Sequence, residues 1–390
     1  MDKERVIFSS HHIVEIIFKH LNSRTLSKCA QVCSLWYKLS VAEKKRRRNI
    51  YWTLKDGDCN DIEILRQMEL CPIIDRSFME AELLKEMENI PMHPVFCMAF
   101  MSVPLFAKFP EFFPSFGCSE PPHKRQRFCE DFAKRKYLNE VMHCALKDFL
   151  PANCPLTFTV ASGIVGCNAN CEPREIENGP AMSAIFIPEV SGVTISHFRV
   201  NRRNFDMSEF IAENAPVKCI LVFLTSRGAR SANKLVQSCL LHNKDLKMAV
   251  GGAIVDRTEG LLGSVVAFSG PNVEAASIII NVNDKKEEII AKFETFQETG
   301  LLNHMCFAYM FACVGRGFIF HEDFNVESKL FCKMYPKVPL VGVYGGGEIG
   351  YNYLPNFQME KTLKTGAFAR YQRKFLHGYT SVFVLISLKV

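Results

Sequence analysis

The sequence predicts an α+β protein: a small helical unit at the N-terminus, then a longer region in which strands and helices alternate. Three observations carry this. Apolar residues between positions 13 and 39 recur at helical spacing. Residues 308–314 and 338–344 are continuous apolar runs, the pattern of strands buried on both faces. The order strand, Arg-Gly loop, helix, strand, glycine cluster occurs at 219–256 and again at 308–350, which reads as an internal pseudo-repeat.

Composition narrows the class of protein. A chain of 390 residues is long enough for two or three domains with cores of their own. Hydrophobic content of 48% with 23% charged residues describes a soluble globular protein. The net charge of +6 permits acidic partners without requiring nucleic acid, and none is expected. No window approaches the roughly 18 uninterrupted apolar residues of a membrane span, so no membrane association is expected. The segment MDKERVIFSSHH carries charge and no long apolar stretch, so a secretory signal is not expected. The 16 cysteines include no C-x-x-C pair and read as reduced thiols rather than a disulfide framework.

In chain order, Ile13, Ile16, Ile17 and Leu21 fall at helical spacing before a turn and cap at Asn22 and Ser23. A second stretch sets Leu26, Cys29, Val32, Cys33, Trp36 and Leu39 at apolar positions. Helices this short bury their apolar faces poorly alone, which points to a partner. The pattern L-x-x-C-x-x-V-C-x-x-W at Leu26, Cys29, Val32, Cys33 and Trp36 resembles an F-box over the first fifty or so residues. His11-His12-Ile13 stands where that family usually opens on Leu-Pro. The resemblance implies docking of this face on a Skp-type adaptor, and through it on cullin and RING subunits. An ordinary helical hairpin packed on its own domain is the alternative.

Glu43-Lys44-Lys45-Arg46-Arg47-Arg48 closes the unit and reads as a solvated helix end, with nuclear import or phosphate binding as the alternatives. Residues 57–90 read as an amphipathic helix broken by Pro91 and Pro94, and 94–106 as a buried strand. Residues 109–129, with the basic run 123–127, read as an exposed loop, solvated or again a nuclear signal. Helical spacing returns at 129–149. FTVASGIVGCN (158–168) reads as one strand ending at Gly166, followed by the acidic loop CEPREIENG and a strand at 182–187, as a hairpin. Further strands close the two repeats at 263–270 and 379–388.

The segments Met310–Gly317 and Gly347–Gly350 resemble the FIST domain, chiefly in its C-terminal half. That likeness implies mixed sheets and a division into residues 1–50 (helical adaptor-binding domain), 57–200 and 201–390 (N- and C-terminal FIST-like regions). The family is thought, in other settings, to sense small ligands such as amino acids.

The loops ending the apolar runs are the best site candidates, because α/β domains bind ligands at strand ends beside helix starts. Gly345–Gly350 spells G-x-G-x-x-G, but Tyr351-Asn352-Tyr353-Leu354-Pro355 follows instead of a helix, so a dinucleotide fold is rejected. Cys313 beside Gly315, Arg316 and Gly317 reads as a packed core thiol or an accessible reactive one. No base is fixed to it by spacing, His321 being only a guess, so no catalytic residue is assigned. Arg316 offers a planar fork for a carboxylate, phosphate or carbonyls, or pairs internally with Glu348. Gly346 and Gly347 complete that set, with Arg227, Arg230 and Asp256 at comparable places in the first repeat. Cys29/Cys33 and Cys167/Cys171 have C-x-x-x-C spacing without a second ligand pair, so no metal is assigned, and no cofactor.

Two functions remain open. One is a non-catalytic receptor: residues 13–40 hold a ligase adaptor while 57–390 capture a protein for ubiquitination and proteasomal degradation, in cytoplasm and nucleus. The other is a small-ligand sensor or enzyme built on the paired glycine loops.

Overall fold

A computed structural model describes residues 11–56, 89–112, 147, 149–168, 170–201, 216–243, 247–355 and 374–390. Residues 57–88 of the expected helix over 57–90, the basic run 123–127 and nearly all of the expected helix 129–149 lie outside the described residues.

Three helices open the chain: α1 (His11–Lys19), α2 (Ser23–Cys29) and α3 (Ser34–Arg46). Asn22 caps α2, its side chain accepting the amide of Thr25 at 2.8 Å, as the Asn-Ser turn signal requires. Val14, Phe18, Leu26 and Leu39 form the core of this unit. The Trp36 ring meets Phe18 edge-on at 5.4 Å.

Next come β1 (Tyr51–Asp56), β2 (Pro94–Ser102), α4 (Val103–Phe112), β3 (Leu156–Ala161), β4 (Gly163–Cys167), β5 (Pro173–Ile176), β6 (Ala181–Pro188) and β7 (Thr194–Val200). The chain continues through β8 (Val217–Thr225), α5 (Ala232–His242), β9 (Ala249–Val255), β10 (Arg257–Thr258), β11 (Gly263–Ser269) and β12 (Val273–Ile280). It ends with α6 (Lys286–Glu298), β13 (Met305–Cys313), α7 (Phe318–His321), α8 (Val326–Met334), β14 (Leu340–Gly345), β15 (Glu348–Ile349), β16 (Leu376–His377) and β17 (Ser381–Leu388).

These strands form three mixed sheets, ordered β1-β6-β2-β3-β10, β16-β15-β9-β8-β11-β7 and β12-β17-β13-β14-β4-β5. Each is built around one parallel pair: β2 with β3, β8 with β9, β13 with β14. An antiparallel strand flanks the first member of each pair: β6, β11 and β17. The pseudo-repeat is therefore real, and it has three copies rather than two. After its parallel pair, each copy lends strands to another sheet. β4 and β5 join β14, β10 joins β3, and β15 with β16 joins β9. Strands from 57–200 and from 201–390 thus share every sheet.

The first strands of the three copies, PVFCMAFMS, VKCILVFLT and MCFAYMFAC, are each nine residues long. Their alternation decides the layering. Phe96, Met98 and Phe100 join Cys219, Leu221 and Phe223, and Phe307, Tyr309 and Phe311, in one core shared by the three sheets. The seventh residues meet inside it, Phe100 and Phe223 tilted at 5.8 Å and Phe223 and Phe311 edge-on at 5.7 Å. The intervening residues face outward under helices: α4 on the first sheet, α5 on the second, α6 and α8 on the third.

Four local expectations are corrected. The strand at 94–106 stops at Ser102, because Pro104 lies in the first turn of α4, where a missing N–H costs nothing. Residues 109–112 accordingly belong to that helix rather than to a loop. The single strand at 158–168 is two, broken at Ser162, with β3 in the first sheet and β4 in the third. The hairpin partner of β4 is β5, inside the acidic loop, while β6 pairs with β1 and β2.

Candidate functional site

The N-terminal helices sort the sequence-predicted adaptor residues into two sets. Leu26 and Leu39 are buried, and Leu21, Cys29 and Trp36 are half-buried against that core. Ile13, Ile16, Ile17 and Val32 stay 39%, 45%, 41% and 64% exposed, and Cys33 is exposed. The three isoleucines, at i, i+3 and i+4, form a single apolar stripe on α1. Val14 and Phe18, which the sequence reading passed over, are what turn that stripe outward.

Arg47, read as part of a solvated run, is half-buried and fastens this unit to the body. Its guanidinium donates to the carbonyls of Phe18 at 2.7 Å, Leu21 at 2.5 Å and Pro91 at 2.5 Å, and to Glu43 Oε1 at 2.8 Å. The Phe18 carbonyl lies in the last turn of α1, where it also accepts the Leu21 amide at 3.2 Å. Ser23 N adds a bond to the Ile90 carbonyl at 3.1 Å. A cavity of about 810 Å³ beside Arg47, lined by Lys19, Asn22, Arg46 and Asn89 among others, separates the two parts elsewhere. Among the described residues, the Arg47 and Ser23 hydrogen bonds tie the helical unit to the body.

The second candidate region is where β13 and β14 end. Cys313 and Gly345 are register partners, so the two predicted loops lie side by side. Gly347 has φ 146°, and β15 follows it by pairing into the second sheet, where a dinucleotide site needs a helix. The Glu348 carboxylate accepts the Thr380 hydroxyl at 2.6 Å and its amide at 3.1 Å, and lies near Cys313 and Arg316. Arg316 turns the other way. Its Nε donates to Glu327 Oε1 at 2.7 Å, its Nη1 to the Tyr379 carbonyl at 3.1 Å, and its carbon centre sits 4.8 Å over the Phe320 ring. The anticipated Arg316–Glu348 pair is replaced by Arg316–Glu327, and both of those side chains are buried.

The acidic loop completes the arrangement. Glu175 accepts the Tyr344 hydroxyl at 2.6 Å and the Ser328 amide at 2.9 Å, and burial raises its carboxyl. Glu177 accepts the Phe318 amide at 2.6 Å. Its carboxylate occupies the space where a Cβ on Gly317 would stand, 2.0 Å away, so a larger residue there would displace the Glu177 side chain. Burial alone would raise Glu327, but contact with His321 and the charge of Arg316 bring it below the ordinary range. His321 Nε2 lies 3.3 Å from Glu327 Oε1, so this histidine serves the ion pair rather than Cys313. Arg316 Nη2, Glu327 Oε2 and Glu348 Oε1 are buried without a hydrogen-bond partner among the described residues. Of the predicted loop residues, Gly346 is exposed and Gly315 half-buried, while Cys313, Arg316, Gly317, Gly347 and Glu348 are buried. Arg227, Arg230 and Asp256 are exposed, with Asp256 accepting the Ser162 hydroxyl at 3.1 Å.

Sequence reasoning missed Glu175, Glu177 and Glu327. One signal was available: Glu327 precedes Leu330 and Phe331 by three and four residues, on the apolar face of a helix. For the other two, only their placement by the β4–β5 hairpin reveals the role.

Glu348 yields a pH prediction. Burial pushes its carboxyl up from 4.5 to about 7, outweighing the Thr380 bonds. A carboxyl raised in the folded state contributes stability below its unfolded value and loses it as pH rises through about 7. Glu348→Gln is therefore expected to exceed the wild type by up to about 3 kcal/mol at pH 8, with the gap closing near pH 5. Urea titrations at the two pH values test this; a gap that does not change with pH rules it out.

Comparison with known proteins adds the following. Residues 227–351 match the FIST C domain. The chain is 25% identical over 412 aligned residues to F-box only protein 22 of Homo sapiens, covering 98% of this chain and 94% of that one. The Pongo abelii protein of the same name gives the same values. Among solved structures, the cyanuric acid hydrolase from A. caulinodans aligns over 88% of this chain and 99% of its own at a TM-score of 0.36 and 9% identity, a level that carries no argument. Among the described residues, no helix is long and apolar enough to cross a membrane.

Proposed function

We propose that this chain, an F-box protein with a FIST C domain and similar along its length to F-box only protein 22, is the substrate-recognition subunit of a Skp–cullin–F-box ubiquitin ligase. The observation that carries the reading is the outward apolar stripe of Ile13, Ile16 and Ile17, with Val32 also exposed, on a unit with its own core and a hydrogen-bonded anchor at Arg47. A contiguous apolar stripe of this kind marks a surface suited to a partner. The adaptor covers it in this proposal, and the three-sheet body holds a protein substrate. Such a subunit performs no chemistry of its own. It raises the effective concentration of substrate lysines near the ubiquitin donor, and the Arg47 anchor keeps that distance constant. Work in cytoplasm and nucleus, ending in proteasomal degradation, belongs to the same proposal.

The test is co-purification with a Skp-type adaptor. Trp36 packs on Phe18, so its removal would disturb the fold; Ile16→Asp and Ile17→Asp change only the exposed stripe. Each is expected to weaken adaptor binding at least about 30-fold, by burying a charge at an apolar contact, with thermal stability unchanged. Undiminished binding would overturn the reading.

The unpartnered atoms of Arg316, Glu327 and Glu348 favour a second reading, a buried site for a small polar ligand. In the same preparations, a rise in Tm with free amino acids, absent in Glu348→Gln, would support it.

A further inference from the structure

The basic run at 43–48 has a use beyond anchoring, because it borders the cavity of about 810 Å³ between the helical unit and the body. That volume falls in the range of small-molecule sites, roughly 300–1,000 Å³. Lys19, Arg46 and Arg47 line it with a single carboxylate, Glu43. The Arg47 guanidinium is spent: it donates to Glu43 and to the carbonyls of Phe18, Lys19, Leu21 and Pro91. Glu43 is taken up as well, and its side chain is buried against Arg47. Arg46 is not spent. Its Nη2 stands 3.6 Å from Glu43 and 3.8 Å from Glu15, both beyond hydrogen-bond distance, and the side chain is 51% exposed. Lys19, exposed in the last turn of α1, has no ion-pair partner among the described residues. Three cations against one carboxylate leave the lining with a net charge of +2, and Lys19 and Arg46 are the two that remain uncommitted.

The other walls are apolar. Ile50 and Met92, both buried, line the cavity together with Leu21 and Tyr51. Asn22 Nδ2 donates to Asn89 Oδ1 at 3.4 Å, linking the two parts where they meet the cavity. Apolar walls beside two unspent cations select an anion that carries an apolar body. A phosphate monoester matches better than a carboxylate. It carries about −1.5 to −2 charges at neutral pH and three acceptor oxygens, enough for a guanidinium fork and an ammonium together.

We propose that this cavity binds a small phosphate monoester with an aromatic or aliphatic body, Lys19 and Arg46 holding the phosphate while Leu21, Ile50, Tyr51 and Met92 receive the body. Lys19 and Arg46 belong to the helical unit and Met92 to the segment entering β2, so the bound molecule touches both parts. It adds to the bonds that Arg47, Ser23 and Asn22 already make between them. On the receptor reading, the ligand stiffens the link between the adaptor face and the sheets that hold the substrate. Binding itself does not depend on that reading.

Calorimetric titration and thermal unfolding of the full chain, with no adaptor present, test this with naphthyl phosphate, naphthol and inorganic phosphate. The ester is expected to bind and raise Tm, with the alcohol and the inorganic ion each at least about 10-fold weaker. Lys19→Ala and Arg46→Ala, both at exposed positions, should each lower ester affinity about 10-fold and leave the Tm of the free chain unchanged. Added salt should weaken the ester and not the alcohol. AMP and an acetylated phosphotyrosine amide carry the same group on a free nucleotide and on a protein side chain, and the tighter of the two identifies the source. Absence of ester binding at millimolar concentration overturns the proposal, as does an ester that binds no tighter than inorganic phosphate. Binding retained by the Lys19→Ala, Arg46→Ala double variant overturns it too, since the molecule would then sit elsewhere.

Discussion

Replacing Arg316 with alanine is expected to destabilise the protein by about 3–5 kcal/mol, the cost of leaving a buried carboxylate without its cation. Glu327 is 1% exposed and Arg316 reaches it at 2.7 Å from a side chain that is itself 0% exposed. Little water is available to take over when the guanidinium is removed. The Tyr379 carbonyl would lose its donor as well, and Phe320 the cation above its ring. A second variant separates an orphaned charge from lost packing. Arg316→Met together with Glu327→Gln removes both charges, and it should recover about 2 kcal/mol or more relative to Arg316→Met alone. The sign of the pH dependence is fixed as well. Glu327 lies below the ordinary range, so the pair's contribution is present at neutral pH and lost as pH falls through the folded value. The difference between wild type and Arg316→Ala should therefore narrow in acid. Urea denaturation of wild type, Arg316→Ala, Arg316→Met and the double variant at pH 7, and of the first two in acid, decides the matter; a loss under 1 kcal/mol for Arg316→Ala would exclude a central role for the pair.

How much of this architecture could be read from the sequence differs from copy to copy. Repeats two and three are legible because their loops are short: β8 to β9 spans Thr225 to Ala249, and β13 to β14 spans Cys313 to Leu340. In the first copy, Ser102 and Leu156 are the corresponding ends, and the intervening stretch hides the period. What identifies the copy is the nine-residue strand itself, with phenylalanine in seventh place in PVFCMAFMS as in the other two. That alternation was visible in the sequence; the parallel partner that gives it meaning was not. The exchange of strands between sheets was illegible for a different reason. β10, β15 and β16 are two residues each, too short to carry a period, and their pairing is decided by the sheet they meet.

The candidate site follows the same logic. Residues on continuous apolar strands, Cys313 and the glycines after Gly345, were found because such strands predict their own ends. Arg316 was found as a residue and misassigned as to partner, since Glu327 and Glu348 are both plausible from the sequence and only the packing of α8 selects the first. Glu175 and Glu177 stand in what reads as a polar loop. Their burial comes from the pairing of β5 with β4, a hairpin with no NG or DG turn to announce it. In the N-terminal unit, the helical period located the apolar positions but did not say which face is outward. That depended on Phe18 and Val14 claiming the core.

Gly342→Ala is expected to cost about 3 kcal/mol or more, and to do so through the backbone rather than the side-chain core. A Cβ at this position of β14 would lie 1.8 Å from the Met310 carbonyl oxygen of β13, its register partner. The parallel pair at the centre of the third sheet would have to part to admit one methyl group. The second copy repeats the constraint: Gly252 of β9, at φ 150°, would place a Cβ 1.9 Å from the carbonyl of its partner Val222 in β8. Both glycines stand three residues before the end of the second strand of a parallel pair, so Gly252→Ala should match Gly342→Ala in size. In the first copy the equivalent position is Phe158, paired with Ala99, and its side chain is accommodated. The close approach is thus a property of the two later copies and not of the topology. Gly346→Ala serves as the control, since its nearest neighbours would be 3.9 Å away and the position is exposed, so a change within about 0.5 kcal/mol is expected. Thermal and urea unfolding of the three alanine variants test the pair and the control together. If Gly342→Ala and Gly252→Ala are no less stable than Gly346→Ala, the central strands do not approach as closely as described, and the equivalence of the two copies fails with them.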